Sequence, residues 1–331
     1  MTQAQNTTSS LTPEMQILYN KVFLERNQLE TTYDFLTEKE DFPKNSGKVM
    51  YFTRTTAFTP STAALTEGTT PTGIAFTSST IPATVAEYGD TTQFSSIFQL
   101  TGLDTGLKEK VSTFGQYAAE KMDTIRLYTM VAGATPKFAN AVLYSAVGTG
   151  GTGDPFTALL ATDTLDVADL RLTALQLKTA KAPKFEAPVG SLNKGGAYRG
   201  VLSSQGYYEL LGDSTTGAFT SINLAVSSAE TGQIKDQAIK RIAGFDVVES
   251  NNQYTRTAGA GTVTAYANLF CGKGAVKEVA IGSANPRIIY KTPGANDTSN
   301  PLDMFSTLSW KVDAWTCIVA NSNWIINLYC A

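Results

Sequence analysis

The pattern of apolar and polar positions divides the first 100 residues into a helical segment and a β-rich segment. Apolar residues recur at helical spacing from a Thr-Pro-Glu start signal at residues 12–14, and this helix is predicted to end near residues 41–43. Residues 48–56 and 76–98 then have the composition of strands, with a bend predicted at Gly89. Together they predict one long hairpin, which needs packing against another surface to be stable.

The longest predicted element is a helix that begins near Asp104 and is stopped by Gly133. About 29 residues at 1.5 Å each would make it roughly 43 Å long. Its apolar positions are three or four residues apart, so they form one continuous face. That face consists of Leu103, Leu107, Val111, Phe114, Ala118, Met122, Ile125 and Thr129.

Beyond residue 133 the periodicity alternates between helical and β-type, which is typical of a mixed α+β protein. The predicted elements are a strand at 139–147, a helix that Asp166 opens, a strand at 200–202, helices at 206–211 and 234–242, and strands at 245–249, 266–271, 315–319 and 324–329. No internal repeat is visible, so a repeat architecture is not expected.

Composition leaves two interpretations open, an all-β protein with many turns and a subunit whose surface lies in an assembly. Charged residues make up only 17% of the chain, below the roughly 25% usual for soluble domains. A net charge of −3 gives no basic stripe for sequence-specific nucleic-acid binding. No signal peptide and no apolar run near the roughly 20 residues of a membrane span are found.

The residue types that activate nucleophiles or bind transition metals are scarce. The chain contains no histidine, which excludes Ser-His-Asp and Cys-His chemistry and histidine-ligated metals. Cys271, Cys317 and Cys330 are widely spaced among apolar residues, so we expect buried, reduced thiols. We therefore predict no catalytic residue, no metal and no cofactor.

Two acid pairs keep one enzymatic alternative open. Asp163 with Asp166, or Asp297 with Asp303, could supply the two carboxylates that a glycosidase needs. Both pairs lie where helix caps and turns are predicted, which favours a structural role. A β-rich phage glycan hydrolase or adhesin is thus the alternative from a different class of protein.

Short motifs in a fixed order resemble landmarks of the N4-like coat protein family. They are Lys44–Lys48, Leu65–Gly68 followed by Pro71, Tyr88–Asp90, Ala118–Asp123, Tyr198–Val201, Ile242–Ser250, Gly272–Ala275, Asn300–Leu302 and Ser309–Lys311. Over residues 10–331 the chain is therefore similar to a tailed-phage major capsid protein of the Hong Kong 97-type fold. A bacterial encapsulin-type compartment is the alternative within that fold.

This resemblance implies a division of the chain into the parts of that fold. The implied parts are an N-terminal arm (1–45), an extended E-loop (46–100), a peripheral P-domain with the spine helix (101–194), an axial A-domain (195–285) and return strands of the P-domain (286–331).

The resemblance also implies which residues meet neighbouring subunits and which form the helix core. In the E-loop these contact residues are Thr59, Pro60, Leu65, Thr66, Glu67, Gly68 and Pro71, and in the arm they are Leu18, Val22 and Leu29. The implied spine-helix core is Leu107, Val111, Phe114, Met122 and Ile125.

The function implied by the resemblance is self-assembly into pentamers and hexamers of an icosahedral shell around double-stranded DNA, which the shell contacts non-specifically. The implied partners are a scaffolding protein during assembly, a portal at one vertex and a cement protein, and the implied location is the virion capsid, assembled in the host cytoplasm. Some relatives cross-link their shells through a Lys–Asn isopeptide bond from the E-loop. Residues 49–88 contain no lysine, so we expect non-covalent reinforcement here.

Overall fold

The computed structural model covers the chain from the arm to the C-terminus with gaps. The residues it describes are 18, 20–26, 31–45, 47–55, 62, 64, 68, 73, 75, 77–95, 107–139, 156, 159–185, 196–212, 241–258, 263–282, 285–291, 302 and 304–331.

Within these residues the fold contains four α-helices and fourteen strands. The helices are α1 (20–26), α2 (Leu107–Gly133), α3 (Val167–Thr179) and α4 (Ser204–Gly212), with 3-10 turns at Tyr33–Leu36 and Ser322–Trp324. The strands are β1 (Glu38–Phe42), β2 (Val49–Thr55), β3 (Ser78–Thr84), β4 (Ala86–Ser95), β5 (Thr135–Phe138), β6 (Tyr198–Ser203), β7 (Arg241–Ile242), β8 (Phe245–Ser250), β9 (Thr255–Ala258), β10 (Val263–Cys271), β11 (Val276–Ile281), β12 (Arg287–Lys291), β13 (Phe305–Val319) and β14 (Ile325–Cys330).

The strands form two main sheets and one separate pair. A five-stranded sheet has the order β1-β11-β13-β12, with β4 also paired to β13. A seven-stranded sheet has the order β5-β14-β10-β6-β8-β7, with β9 also paired to β10. Among the described strands, β2 and β3 pair with no other strand than each other and form an antiparallel ribbon. This mixture of helices and sheets confirms the predicted α+β class.

The chain crosses from the seven-stranded sheet to the five-stranded sheet and back between β10 and β14. Strand β11 precedes residue 286 and pairs with β13 of the five-stranded sheet. Strand β14 follows residue 286 and pairs with β10 of the seven-stranded sheet. Each sheet is thus built from segments on both sides of residue 286.

Helix α2 packs between the sheets and carries the largest hydrophobic cluster. Leu127 and Met130 of α2 lie in this cluster with Trp310 and Trp315 of β13 and Leu269 of β10. A second cluster lies between α3, α4 and the seven-stranded sheet. The helix ends at Gly133 as predicted. No helix in the described ranges is long and apolar enough to cross a membrane.

The predicted apolar face of α2 is correct in part. Val111, Ala118 and Met122 are buried, whereas Phe114 and Ile125 are half-buried and pack at the edge of the same cluster. Thr129 is half-buried, Leu103 lies outside the described residues, and Leu107 begins the described helix. Leu127 and Met130, which the predicted face omitted, are fully buried. The buried face of α2 therefore overlaps the predicted face and extends to Leu127 and Met130 on one side of it.

The helix predicted to reach residues 41–43 is wrong at its end. Helix α1 is described as far as residue 26, residues 27–30 lie outside the described part, and Glu38–Phe42 is strand β1, which pairs in parallel with β11. Its side chains alternate between half-buried and exposed, as in a strand. The charged sequence Glu-Lys-Glu-Asp is accepted there because Glu40 has a partner in Lys277 of β11.

The single hairpin predicted for residues 48–98 is also wrong. Only β2 and β3 form the hairpin, and β4 instead pairs with β13 from Ser95↔Phe305 to Ala86↔Trp315. Gly89 does not bend the chain but lies within β4 opposite Lys311. A Cβ atom on Gly89 would lie 2.5 Å from the backbone oxygen of Trp310, so glycine permits the close strand contact.

Two further predicted elements fall partly outside the described residues. Residues 241–242 of the predicted helix 234–242 form strand β7, and Ala243 and Gly244 turn the chain into β8 with φ angles of 50° and 90°. Residues 234–240 lie outside the described part. The strand predicted at 139–147 follows directly after β5, and all of it except residue 139 lies outside the described residues.

Other local predictions are confirmed where their residues are described, whereas the helix starts predicted at residues 12–14 and at Asp104 lie outside the described residues. Asp166 caps α3, because its side chain accepts a hydrogen bond from the backbone N–H of Asp169 at 2.7 Å. Strands β2, β6, β8, β10 and β14 and helix α4 occur where they were predicted, within a few residues at each end. The strand predicted at 315–319 is the end of β13, a strand of 15 residues.

Candidate assembly surface

The ribbon of β2 and β3 is held at its base by a small hydrophobic cluster. Met50, Ala83 and Val85 are buried there against Val279 of β11. Half-buried rings of Phe42 and Phe52 pack on this cluster, and their centroids are 6.1 Å apart in an edge-on arrangement. These contacts fix the base of the ribbon on the five-stranded sheet. Away from the base its side chains are mostly exposed.

A charged contact supports the same base from β11. The Lys277 ammonium group donates a hydrogen bond to Glu40 of β1 and lies 4.6 Å from the centroid of the Phe52 ring. One lysine therefore joins the arm strand, the sheet and the ribbon. The base of the ribbon is therefore held both by the apolar cluster and by the Lys277 side chain.

The arm is anchored on α2 by the buried carboxylate of Asp123. This side chain is 1% exposed and accepts hydrogen bonds from the backbone N–H groups of Thr32 at 3.2 Å and Tyr33 at 3.0 Å. The Tyr33 hydroxyl donates to the carbonyl of Asn252 at 2.7 Å. Burial raises the pKa of Asp123 to about 6, although its N–H donors and Arg126 favour the charged form.

Arg126, one turn further along α2, forms a buried ion pair with Glu278 of β11. Its Nε and Nη2 donate to the two carboxylate oxygens of Glu278 at 3.1 Å and 2.9 Å. Trp315 Nε1 donates to the same carboxylate at 2.5 Å. Burial would raise the pKa of Glu278, but the charge and hydrogen bonds of Arg126 together with Trp315 hold it below its ordinary value.

Helix α1 crosses α2 where α2 has a glycine. Phe23 is fully buried there, and a Cβ atom on Gly115 would lie 2.9 Å from the Phe23 carbonyl oxygen. Arg26 donates to Gln116 at 3.2 Å. Asn20 accepts a hydrogen bond from the backbone N–H of Ile288 in β12 at 3.2 Å. The arm thus covers part of the outer edge of β12.

The structure places few of the predicted contact residues. In the arm, Leu18 is 49% exposed, Val22 is half-buried, and Leu29 lies outside the described residues. In the E-loop only Gly68 is described, in a turn with a φ angle of 79° that suits glycine. The other six, which are Thr59, Pro60, Leu65, Thr66, Glu67 and Pro71, lie outside the described residues.

Sequence reasoning missed the residues that join the arm to the body. Asp123 and Arg126 are only 1% and 4% exposed, yet they are charged and looked like surface positions of a helix. Their partners in the arm and in β11 lie about 90 and 152 positions away in the sequence. Only the i, i+3 spacing of Asp123 and Arg126 on the buried side of α2 could have indicated them.

Two of the four aspartates considered for a glycosidase accept hydrogen bonds from nearby backbone N–H groups. Asp166 caps α3, and the Asp163 carboxylate accepts from the backbone N–H of Leu160 at 2.8 Å. Asp297 and Asp303 lie outside the described residues. No group of three or more Cys, Asp or Glu side chains that could hold a metal ion occurs where the structure is described.

The three cysteines are buried as expected, and none forms a disulfide. Burial raises the pKa of Cys271 to about 12 and that of Cys317 to about 12. Burial also raises the pKa of Cys330. Because the thiolate is the reactive form, these side chains behave as small apolar groups.

Comparison with known proteins identifies the fold. No family model and no curated protein match the sequence. The head structure of Helicobacter pylori bacteriophage KHP40 matches with a TM-score of 0.63 and 12% identity over 91% of this chain and 92% of that chain. The capsid of cyanophage Pam1 matches with a TM-score of 0.62 and 15% identity over 87% and 86%.

A particle that is not described as a phage has a related fold as well. The virus-like particle from Pyrococcus furiosus matches with a TM-score of 0.51 and 7% identity over 95% of this chain and 99% of that chain. Together these likenesses show that the chain has the Hong Kong 97-type fold of tailed-phage capsid proteins.

Proposed function

We propose that this chain is the major capsid protein of a tailed bacteriophage, which assembles into pentamers and hexamers of an icosahedral shell around double-stranded DNA. The observation that carries the proposal is the extent of the likeness, since 91% of this chain aligns with 92% of the KHP40 head protein.

The surface of the described chain supports an assembled state. Large apolar side chains are exposed on the ribbon, on α2 and next to β13. They include Tyr51, Tyr117, Tyr128, Leu302 and Met304, which are 46% to 78% exposed. A few exposed apolar residues are normal on a monomer, but these lie on the projecting ribbon and along the helix. Contact with neighbouring subunits would remove them from water.

The finer assignments belong to the same proposal. We assign residues 1–45 to the arm, 46–100 to the E-loop, 101–194 with 286–331 to the P-domain, and 195–285 to the A-domain, and we place the chain with N4-like coat proteins on the strength of its motifs. The E-loop and arm residues named above would contact adjacent subunits. Scaffolding, portal and cement proteins would be the partners, and assembly would take place in the host cytoplasm.

Expression with the candidate scaffolding protein tests this function directly. We expect closed particles tens of nanometres across by negative-stain microscopy and a void-volume peak on gel filtration. A species that stays monomeric or trimeric under all scaffold ratios contradicts the shell function and favours the hydrolase or adhesin.

The encapsulin-type compartment is the second candidate, favoured by the likeness to the Pyrococcus furiosus particle. The two shells differ in their contents, because a capsid encloses DNA and a compartment encloses cargo protein. A gene next to portal and terminase genes, together with DNase-resistant DNA in native particles, supports the capsid. Particles that contain a co-purifying enzyme and no protected DNA support the compartment.

The shell is proposed to hold without covalent links, because residues 49–88 contain no lysine that could start an isopeptide bond. Boiled particles should therefore run as a single monomer band on a denaturing gel. A ladder of bands above the monomer contradicts this part of the proposal and leaves the capsid function intact.

A further inference from the structure

One backbone hydrogen bond at the base of the ribbon shows which opposite residue pairs of β2 and β3 are hydrogen-bonded to each other. The backbone N–H of Val85 donates to the carbonyl of Lys48 at 3.1 Å. In an antiparallel ladder, hydrogen-bonded pairs recur at every second residue. The inward-facing pairs of the ribbon are therefore Met50↔Ala83, Phe52↔Ile81 and Arg54↔Ser79.

The position of Pro82 agrees with this pattern of hydrogen bonds. Pro82 lies opposite Tyr51, in a pair that exchanges no hydrogen bonds, where its missing N–H costs the ribbon nothing. The backbone groups of the intervening residues point away from the ribbon, to its two outer edges. On β2 these residues are Val49, Tyr51, Thr53 and Thr55, and on β3 they are Ser78, Thr80, Pro82 and Thr84.

The two outer edges differ in their capacity to accept another strand. The β2 edge has an N–H donor at all four outward positions, whereas Pro82 removes a donor from the middle of the β3 edge. No described residue pairs with the β2 edge. The four side chains there are uncharged and exposed, and that of Tyr51 is 69% exposed. On the face that carries these four side chains, an incoming strand would meet no charge that has to be desolvated; the charged side chain of β2, Arg54, lies on the opposite face.

We propose that β2 is the edge to which an extended strand of a second copy of this chain adds, paired with Val49, Tyr51, Thr53 and Thr55. This inference rests on the proposed shell function and specifies its contact. Tyr51 would pack beside the incoming strand as a cross-strand neighbour. The β3 edge, interrupted by Pro82, stays unpaired.

The small size of the β2 edge favours a second copy of this chain as the source of the added strand. Four paired residues cover much less than the roughly 1,000 Å² of buried surface that a specific stable complex needs. A separate protein held only by this edge would dissociate readily. In a closed shell, other contacts hold the same two subunits together, so the strand pairing becomes effectively intramolecular and persists.

The ribbon provides a matched pair of substitutions to test the edge. Thr53 and Thr80 lie directly opposite each other, and both N–H groups point outward. Thr53→Pro removes a donor from the proposed edge, whereas Thr80→Pro removes one from the edge that already contains Pro82. We expect Thr53→Pro to lower the yield of particles about tenfold or more, because one edge bond is lost and the proline ring obstructs the incoming strand at every copy of the contact. Thr80→Pro should assemble like the unmodified chain.

Hydrogen exchange on the unmodified protein gives a readout that does not depend on how the variants fold. In particles, a peptide covering β2 should gain slow amides relative to the free subunit, and a peptide covering β3 should not. Equal protection of both strands, no gain in β2, or equal assembly of the two variants would overturn the proposal.

The outcomes also separate this contact from the shell function itself. Particles that form with unchanged exchange in β2 reject the edge and keep the capsid function. A subunit that never forms particles rejects both, because the edge was inferred for a shell. Protection of β2 only in particles that contain a second protein assigns the edge to that protein instead of a second copy.

Discussion

The body of the subunit and its ribbon are stabilised in different ways. In the body, α2 is enclosed by two sheets, and its cluster contains two tryptophans and a buried ion pair between Arg126 and Glu278. Among the described residues, the ribbon is held at its base by the cluster around Met50, Ala83 and Val85 and by the contact of Lys277 with Phe52. The body can therefore fold from its own contacts, whereas the ribbon would gain most of its contacts from a neighbour in the proposed shell. Four changes test this difference.

The largest effect is expected where the ribbon would meet its neighbour. Replacement of residues 60–72 by a short Gly-Ser turn should leave a folded, soluble subunit, because the described contacts of the body are made by other residues. Stable shells should not form. Circular dichroism would check the fold and electron microscopy the assembly. Normal particles with unchanged heat resistance would contradict the assignment of the E-loop.

The next largest effect is expected at the buried ion pair of the body. Arg126→Ala leaves the Glu278 carboxylate buried without its main partner, so we expect unfolding to become easier by about 3–5 kcal/mol. Urea denaturation of the free subunit would measure this. Arg287→Ala is the control, since Arg287 forms an exposed pair with Asp313 and its loss should cost less than about 1 kcal/mol. Similar losses in both variants would contradict the special role of the buried pair.

The same substitution at two buried methionines, one in the body and one in the ribbon, compares how much each region contributes to global stability. Met130→Ala in α2 should lower the free energy of unfolding by about 2–5 kcal/mol, because it creates a cavity in the largest cluster. Met50→Ala should change global unfolding by less than about 1 kcal/mol, yet speed hydrogen exchange in the ribbon about tenfold. A large global loss from Met50→Ala would show that the ribbon and body unfold together.

The smallest effect is a pH dependence at the anchor of the arm. Burial raises the pKa of Asp123 from its ordinary value of 3.8 to about 6, so the folded state binds a proton more tightly than the unfolded state. The resulting stability is fully present below pH 3.8 and is lost as the pH rises through 6. Between pH 5 and pH 7 the loss should be about 1 kcal/mol.

Asp123→Asn should remove this part of the pH dependence, because the amide does not titrate. Chemical denaturation of both proteins at pH 5 and pH 7 would give the difference, which cancels the titration of other groups. If both proteins lose the same stability between the two pH values, Asp123 is not the group that titrates.

Local signals in the sequence were sufficient for several elements. The end of α2 at Gly133 and the start of α3 at Asp166 depend on the backbone and side chain of the residues themselves. The ribbon strand β2 follows from its β-branched and aromatic residues. These features need no information about distant parts of the chain.

The features that sequence reasoning missed depend on distant partners. The charged residues of β1 were predicted to end a helix, because the strand β11 that pairs with them could not be seen in the local sequence. Gly89 was predicted to bend the chain, because its pairing with β13 could not be seen either. The burial of Arg126 requires Glu278, 152 positions away. Of the proposed contact surface, the outward edge of β2 could not be predicted, because it depends on the ladder register.

Val85 is the single residue between β3 and β4, and this has a mechanical consequence. A tensile force on the ribbon passes through Val85 directly into β4, whose ten residues run along β13. That force acts parallel to the strands, so the hydrogen bonds of the β4–β13 ladder share the load in shear and do not open one after another. In a shell under internal pressure, such a joint would carry tension from one subunit into the sheet of the next.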